Sequence, residues 1–137
     1  MRSICLVACV GKKRRYGCSA EWIYQSPWFR LASKYARSGF DEWFILSAKH
    51  GLLRPGERIL PYDEMLSGKK KAEREQWGKW VFECFLREIK PGVNVTILAG
   101  NLYREFLEQH LLGAGIDVSV PMRGLGIGQQ LAWLKSQ

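Results

Sequence analysis

Four short apolar runs separated by helix-like patterns constrain the fold of this chain more than any other feature. The runs are 4–10 (ICLVACV), 43–48 (WFILSA), 93–99 (VNVTILA) and 116–120 (IDVSV). Continuous apolar runs of this length are typical of strands buried on both faces. Between and after them, apolar residues recur at spacings of three and four within 28–36, 77–85, 103–111 and 127–134, which predicts helices, with Asn101 as one N-cap.

This alternation of strands and helices predicts an α/β protein. We expect a single three-layer domain over residues 1–137, with a mainly parallel four-stranded sheet and helices on both faces. No apolar run approaches the roughly 20 residues that span a bilayer. The charges near the start follow the first apolar run instead of preceding it, unlike those of a signal peptide. We therefore expect a cytoplasmic protein without a membrane partner.

The charge balance and the cysteines restrict the possible ligands. The formal net charge is +8 at pH 7, which favours anionic partners such as nucleic acid or nucleotides, although solubility alone also explains it. The four cysteines form no CxxC pair or other familiar zinc spacing, so we predict no metal site and no cofactor. Cys5 and Cys84 are expected to be buried thiols, whereas Cys9, which lies at the end of the first predicted strand near a glycine, is either buried packing or a functional thiol.

The loops that follow the four predicted strands share a composition. They read VGKKRR, SAKHG, AGNLYR and PMRGLGIG, and each contains glycine together with Lys or Arg. In open parallel sheets, ligands bind beyond the carboxyl ends of the strands. Glycine permits close approach of the backbone, and the N–H groups at helix starts attract anions. The four loops together therefore predict one ligand site at this edge of the sheet.

Candidate site residues come from these loops and from the stretch 60–63 (LPYD). We predict that Lys12 and Lys13 hold phosphates, assisted by Arg104 and Arg123, and that a base lies against Tyr24 or Tyr62. The full set of predicted ligand-binding residues is Cys9, Gly11, Lys12, Lys13, Tyr24, Ser26, Ser47, Tyr62, Gly100, Asn101, Arg104, Arg123 and Gly126.

The predicted catalytic residues are Asp63 and His50 as acid and base, with Lys49 supplying positive charge. Structural alternatives stay open: Asp63 as the cap of the following turn, His50 as a residue that fixes its own loop, and Ser26 as a helix cap before Pro27. No Ser-His-Asp order, HExxH motif or Walker loop is present in the sequence.

The stretch 45–66 (ILSAKHGLLRPGERILPYDEML) resembles the YaaA-like proteins. Four further motifs carry the same resemblance: 9–13 (CVGKK), 24–29 (YQSPWF), 99–104 (AGNLYR) and 124–131 (GLGIGQQL). The resemblance implies DNA binding and protection from peroxide damage. It also implies an association with systems that modify or protect DNA, including deazaguanine base modification. The chain is shorter than full-length YaaA and has Asp63 where YaaA has Arg.

The first hypothesis is therefore a nucleic-acid-associated protein that acts as an enzyme on a base or nucleotide, in DNA modification, protection or repair. Such enzymes usually require a flipped or unpaired base. Two alternatives remain: a non-catalytic DNA-binding or stress-protection protein, and a small nucleotide-binding accessory protein. The reaction, the oligomeric state and the choice between DNA, RNA and free nucleotide are open at this point.

Overall fold

A computed structural model describes residues 1–9 and 11–137. It contains a five-stranded central sheet, in the order β4-β3-β1-β6-β7, and a two-stranded sheet formed by β2 and β5. The strands are β1 (Arg2–Ala8), β2 (Cys18–Ser19), β3 (Glu42–Ser47), β4 (Gly51–Leu53), β5 (Arg58–Ile59), β6 (Val93–Leu98) and β7 (Asp117–Ser119). The helices are α1 (Ala20–Ile23), α2 (Pro27–Gly39), α3 (Lys71–Glu88), α4 (Asn101–Gly113) and α5 (Ile127–Lys135), with a 3-10 turn at Leu66–Gly68.

The four apolar runs form the parallel part of the central sheet, as predicted. β1 lies in the middle, and its Leu6 pairs with Phe44 of β3 on one side and with Ile97 of β6 on the other. β7 continues the parallel order beside β6. The predicted α/β class with a mainly parallel sheet is thus confirmed. Val10, predicted as the end of the first strand, lies outside the described residues.

The sheet has one strand more than the four expected. β4 pairs antiparallel with β3 at the edge of the sheet, and Ser47 lies opposite Gly51 in that register. The chain reverses between them through Gly51, whose φ of +72° favours glycine. β4 is three residues long, too short for an alternation pattern to reveal it in the sequence.

Helices cover both faces of the central sheet, as predicted. Alternate residues of β1 enter two separate apolar clusters, because successive side chains of a strand point to opposite faces. Cys5 and Val7 pack with α2 and α5. Ile4 and Leu6 pack with α3 and α4. The three layers bury Phe29, Phe44 and Phe85 almost completely, and each such ring contributes about 1.5–3 kcal/mol by leaving water.

The sequence pattern predicted the start of α2 correctly and placed the cap of α4 one residue too late. Ser26 is the N-cap of α2: its hydroxyl accepts a hydrogen bond from the N–H of Phe29, and Pro27 follows it as the first helical residue. Asn101 was predicted to cap α4, but it is the first residue of that helix and Gly100 occupies the N-cap position. The Asn101 amide instead contacts Glu105 on the next turn, so the prediction of an Asn101 cap was wrong.

The long connection between β4 and α3 is tied to the segment after β1. β2 and β5 pair antiparallel, and the N–H of Ala20 donates to the carbonyl of Glu57 at 2.7 Å. The connection then buries Tyr62 and Leu66. The connection is therefore held against the segment that follows β1, and Tyr62 lies in the protein interior.

The strand order also determines where a ligand is expected. From β1 the chain proceeds to β3 on one side, and after α3 it crosses to β6 on the other side of β1. The loops that leave the carboxyl ends of β1 and β6 diverge at such a switch point, and a crevice opens between them. Within the described ranges, no helix is long and apolar enough to cross a membrane.

Candidate functional site

A cleft of about 340 Å³ lies at this switch point. We call it the switch-point cleft. It is lined by Cys9, Gly11, Lys13, Glu64, Met65, Ser67, Gly100, Asn101, Leu102 and Tyr103. Three segments therefore meet here: the loop after β1, the connection before α3, and the first turn of α4. The first N–H groups of an α-helix have no partner within the helix, and they carry the positive end of its dipole. The start of α4 thus adds positive potential to one wall of the cleft.

Backbone pairing holds the loop after β1 in place. The carbonyl of Lys12 accepts from the N–H of Gln25 at 2.7 Å, and the N–H of Arg14 donates to the carbonyl of Ile23 at 2.8 Å. Lys13 lies between them in an antiparallel bridge with Tyr24. Its ammonium group stands 4.4 Å from the centroid of the Tyr62 ring. The most basic stretch of the sequence is therefore fixed beside two buried tyrosines.

Gly11 has a structural reason to be glycine. Its φ is +83°, a conformation that other residues rarely adopt. A Cβ at this position would lie 2.8 Å from the Cβ of Ser26, well inside van der Waals contact. Ser26 already caps α2, so its hydroxyl is engaged within the protein. Both residues were predicted to bind ligand; Gly11 lines the cleft, whereas Ser26 supports it from behind.

Four buried side chains meet behind the cleft, and we call them the Tyr62 cluster: Cys9, Tyr24, Ser47 and Tyr62. The Tyr62 hydroxyl lies 2.6 Å from the Tyr24 hydroxyl, 2.7 Å from Ser47 Oγ and 3.3 Å from Cys9 Sγ. All four residues are less than a tenth exposed. Of these four residues, Cys9 also lines the switch-point cleft, so it connects the cluster with the cleft.

The geometry of the cluster indicates the direction of its hydrogen bonds. Ser47 Oγ accepts the N–H of His50 at 3.1 Å, which leaves its own proton for Tyr62. The Tyr24 hydroxyl lies close enough to the Tyr62 hydroxyl, at 2.6 Å, to donate its proton to it. A phenol oxygen accepts two hydrogen bonds and donates one. When Tyr24 and Ser47 both donate to the Tyr62 oxygen, the Tyr62 proton points to Cys9 Sγ. In this arrangement each hydroxyl proton of the cluster has an acceptor.

The tyrosines of the site are neutral donors. Burial, together with the nearby Cys9 thiol, raises the pKa of Tyr24 and of Tyr62 above the ordinary value of 10.0. The same two causes raise the pKa of Tyr103 at the cleft wall. These phenols keep their protons throughout the physiological pH range, so they can donate hydrogen bonds but cannot act as tyrosinate bases.

Trp77 of α3 contacts the strand end that carries Ser47 of the Tyr62 cluster. Its indole N–H donates to the backbone carbonyl of Ser47 at 2.9 Å. The Trp77 ring also packs edge-on with the Tyr103 ring, and the two ring centroids lie 5.5 Å apart. One side chain thus orients both the strand end that carries Ser47 and a wall of the cleft. A buried indole usually finds such a hydrogen-bond acceptor.

The three predicted catalytic residues do not gather around the switch-point cleft. Asp63 is exposed and lies in a neighbouring groove. His50 packs edge-on against the Tyr62 ring, with centroids 5.3 Å apart, and lies outside the cleft lining. Lys49 is exposed beside it. The location of Asp63 still permits contact with a ligand in the groove, whereas His50 acts on the cluster through its backbone N–H.

The His50 ring occupies an unusual environment. Its Nε2 atom is buried and has no hydrogen-bond partner among the described residues. Burial, and next the neighbouring Lys49 charge, lower the pKa of His50 below the ordinary 6.5. The imidazole is therefore neutral at physiological pH.

A second depression of about 570 Å³ continues from the switch-point cleft. We call it the basic groove. It is lined by Gly11, Lys12, Lys13, Arg14, Arg15, Pro61, Tyr62, Asp63 and Met65, so it shares Gly11, Lys13 and Met65 with the cleft. None of the ion pairs formed by the described residues includes the four cations at 12–15. Their charge is available to an anionic ligand.

The two arginines predicted to assist phosphate binding are engaged elsewhere. Arg104 and Arg123 both pair with Glu108, and Arg104 also donates to the carbonyl of Ala99. Neither lines the cleft or the groove. Gly126 caps α5 and also lies outside both. The fourth carboxyl-end loop therefore contributes less to the site than its composition predicted.

Sequence reasoning missed part of the cleft wall. Met65 and Leu102 provide apolar lining, and Ser67 and Glu64 provide polar lining. Met65 and Glu64 directly follow the segment 60–63 that was singled out, and Leu102 lies between two predicted residues of α4, so proximity in sequence was the available signal. Across the described part of the chain, no group of three His, Cys, Asp or Glu side chains is arranged to hold a metal ion.

These features define a doubly wound α/β protein with a cleft at the switch point of its sheet. The chain belongs to the family of unknown function DUF6884, which matches residues 4–136. It is also similar to the uncharacterized protein YfjM of Bacillus subtilis (strain 168). The two are 30% identical over 142 residues, which cover 96% of this chain and 91% of that protein. No solved structure matches the chain. Neither match bears on the resemblance to YaaA-like proteins, which stays a prediction.

Proposed function

We propose that this chain is a nucleic-acid-associated enzyme that acts on a base or nucleotide, in DNA modification, protection or repair. One observation carries the proposal: an apolar cleft at the switch point opens directly into a groove lined by four cations. A nucleotide has the same two halves, a flat and weakly polar base and a charged phosphate.

The cleft suits the base. Met65, Leu102 and Tyr103 offer apolar and aromatic surface, and base–aromatic stacking contributes about 1–3 kcal/mol per base. Tyr62 and Tyr24 were predicted to stack on the base, but both are buried within the cluster. Tyr103 is the better placed aromatic ring, because it lines the cleft itself.

The groove suits the phosphate. Lys13 stands at the junction of cleft and groove, and Lys12 and Arg15 continue the positive charge outward. The start of α4 on the facing wall adds unpaired N–H groups. Asp63, the sole carboxylate among the described residues that line the groove, would contact a sugar hydroxyl or a base amine instead of a phosphate.

A non-catalytic DNA-binding protein remains the second candidate. The observation that favours it is the exposure of the groove: Lys12 and Arg15 are exposed, and the described ion pairs leave them unneutralised. Such a protein would depend on the groove cations and tolerate changes at Asp63 and in the cleft.

Calorimetric titration with nucleoside monophosphates, nucleosides and short single- and double-stranded DNA and RNA tests the proposal. We expect a nucleoside monophosphate to bind more tightly than its nucleoside, because the groove cations contact the phosphate. Lys13→Gln should weaken monophosphate binding about tenfold, the scale of one charge-assisted contact. Lys90→Gln is the matched control, since Lys90 precedes β6 at the opposite edge of the sheet.

The outcomes separate the candidates. Strand binding that falls steeply with salt, with a shallower slope in the Lys13 variant, indicates a polymer ligand held by phosphate contacts. If DNA binds but no nucleotide does, and Asp63→Asn leaves the affinity for DNA unchanged, the non-catalytic protein is favoured. Absence of binding by every nucleotide and strand at low salt would refute both readings of the groove.

A further inference from the structure

We propose that Cys9 is the nucleophile of the switch-point cleft and takes a carbon electrophile that carries a negative charge nearby. The inference deepens the proposed function and rests on it for the identity of the natural substrate. It rests on the Tyr62 cluster for the reactivity of the sulfur.

The position of Cys9 distinguishes it from the other three cysteines. It follows the carboxyl end of the central strand, and it is the one cysteine that lines the cleft. Cys5 is completely buried in the core, while Cys18 and Cys84 are partly exposed on the outside of the domain. Cys9 itself is only 7% exposed, and we expect a reagent to reach its sulfur through the cleft that this residue lines.

The surroundings of the sulfur suit an anion. The Tyr62 hydroxyl lies 3.3 Å from Sγ, and it can donate its proton to the sulfur when Tyr24 and Ser47 donate theirs to Tyr62. Lys13 brings an ammonium group to the same cleft, and α4 directs its N-terminus into it. Thiolates, which are the reactive form of cysteine, are found in electropositive microenvironments of this kind.

The chemical step balances without another reactant. At a base ring, the sulfur–carbon bond forms while the electron pair of the carbon–nitrogen double bond moves onto nitrogen. That nitrogen then takes up the proton that the thiol has lost. Reversal of the addition breaks the sulfur–carbon bond, restores the carbon–nitrogen double bond and returns the proton to sulfur, which frees Cys9 again.

Alkylation of the ligand-free protein tests the inference independently of nucleotide binding. Iodoacetamide and iodoacetate are compared at one pH, and the rate at each cysteine is followed by mass spectrometry of the peptides. In this reaction the sulfur–carbon bond forms, iodide leaves with the electron pair of the carbon–iodine bond, and the thiol proton passes to water. Cys18 and Cys84 serve as internal standards for exposure and for unfolding.

We expect Cys9 to react first, although exposure alone ranks it behind Cys18 and Cys84. The ratio of the iodoacetate rate to the iodoacetamide rate should be higher at Cys9 than at Cys18 and Cys84, because Lys13 and the start of α4 attract the negative charge of iodoacetate. Tyr62→Phe should slow the Cys9 reaction about tenfold, the effect of one hydrogen bond to a charged group, and leave the rate at Cys18 unchanged.

Two results would overturn the inference. One is a Cys9 rate below those of Cys18 and Cys84 in the native protein. The other is a Cys9 rate unaffected both by Tyr62→Phe and by Lys13→Gln, with Lys90→Gln as the charge control. If Tyr62→Phe loosens the fold, the Cys18 and Cys84 rates rise together, and the Lys13 variant then decides. If Cys9 is reactive but the protein binds no nucleotide, the proposed function is refuted, whereas the assignment of Cys9 as the nucleophile stands.

Discussion

Replacing Tyr62 by phenylalanine removes one oxygen atom and should destabilise the protein by about 2 kcal/mol or more. The ring that fills the interior is retained, so no cavity forms. The loss comes from the partners, because Tyr24 and Ser47 both place a buried hydroxyl within 2.7 Å of the missing oxygen.

The magnitude follows from these two stranded hydroxyls. A buried polar group that loses its partner costs about 1–3 kcal/mol. Two such groups at the lower end of that range give about 2 kcal/mol. For a domain of this size that corresponds to a fall in Tm of roughly 6 °C, since each kcal/mol shifts Tm by several degrees.

Urea denaturation followed by tryptophan fluorescence measures this free energy of unfolding. Tyr16→Phe is the matched control, because Tyr16 is 61% exposed and its hydroxyl has a single long contact of 3.4 Å from Arg14. The control should change the free energy of unfolding by less than about 0.5 kcal/mol, as surface substitutions do. A loss that small in Tyr62→Phe would show that the cluster is not hydrogen-bonded as described.

A double-mutant cycle with Ser47→Ala sharpens the same test. In Tyr62→Phe the Ser47 hydroxyl loses its partner, whereas in the double variant that hydroxyl is absent and only the Tyr24 hydroxyl stays without its partner. The double variant should therefore be less destabilised than the sum of the two singles, by roughly 0.5–3 kcal/mol for groups in contact. Strict additivity would contradict a direct bond between the two hydroxyls.

Two further predictions concern pH and packing. Since the folded pKa of His50 lies below 6.5, the unfolded chain binds a proton more readily, and stability should fall as the pH drops from 6.5 through the folded pKa. In urea denaturation at pH 7.5 and 5.5, His50→Gln should reduce that loss of stability; an unchanged loss would contradict the lowered pKa. A Cβ added at Gly78 would lie 2.8 Å from the Cβ of Phe106, where α3 packs on α4, so Gly78→Ala should lower Tm by overpacking worth about 1–3 kcal/mol. Gly113→Ala meets nothing within 4 Å and should leave Tm unchanged or raise it slightly; equal effects at the two glycines would refute the packing argument.

The sequence by itself determined the fold class, and it predicted a site at the sheet edge where the switch-point cleft lies. Apolar runs and helical spacings are properties of single elements, so they predicted the strands at the centre and the helices on both faces. The basic run 12–15 and the segment 60–63 were also recognisable, because unusual residue types stand next to each other there. What these local patterns could not reveal was the three-residue strand β4 or the exact cap of α4.

Only the tertiary structure decided which side chains meet. Tyr62 contacts Ser47, Tyr24 and Cys9 across sequence separations of 15, 38 and 53 residues, and no periodicity links such positions. Arg104 and Arg123 looked equally suited to a phosphate, but Glu108 on α4 pairs with both. Such contacts depend on the strand order and on the path of the long connection. Both are set by the packing of the whole chain, because a buried hydroxyl or charge takes whichever partner the completed core brings within reach.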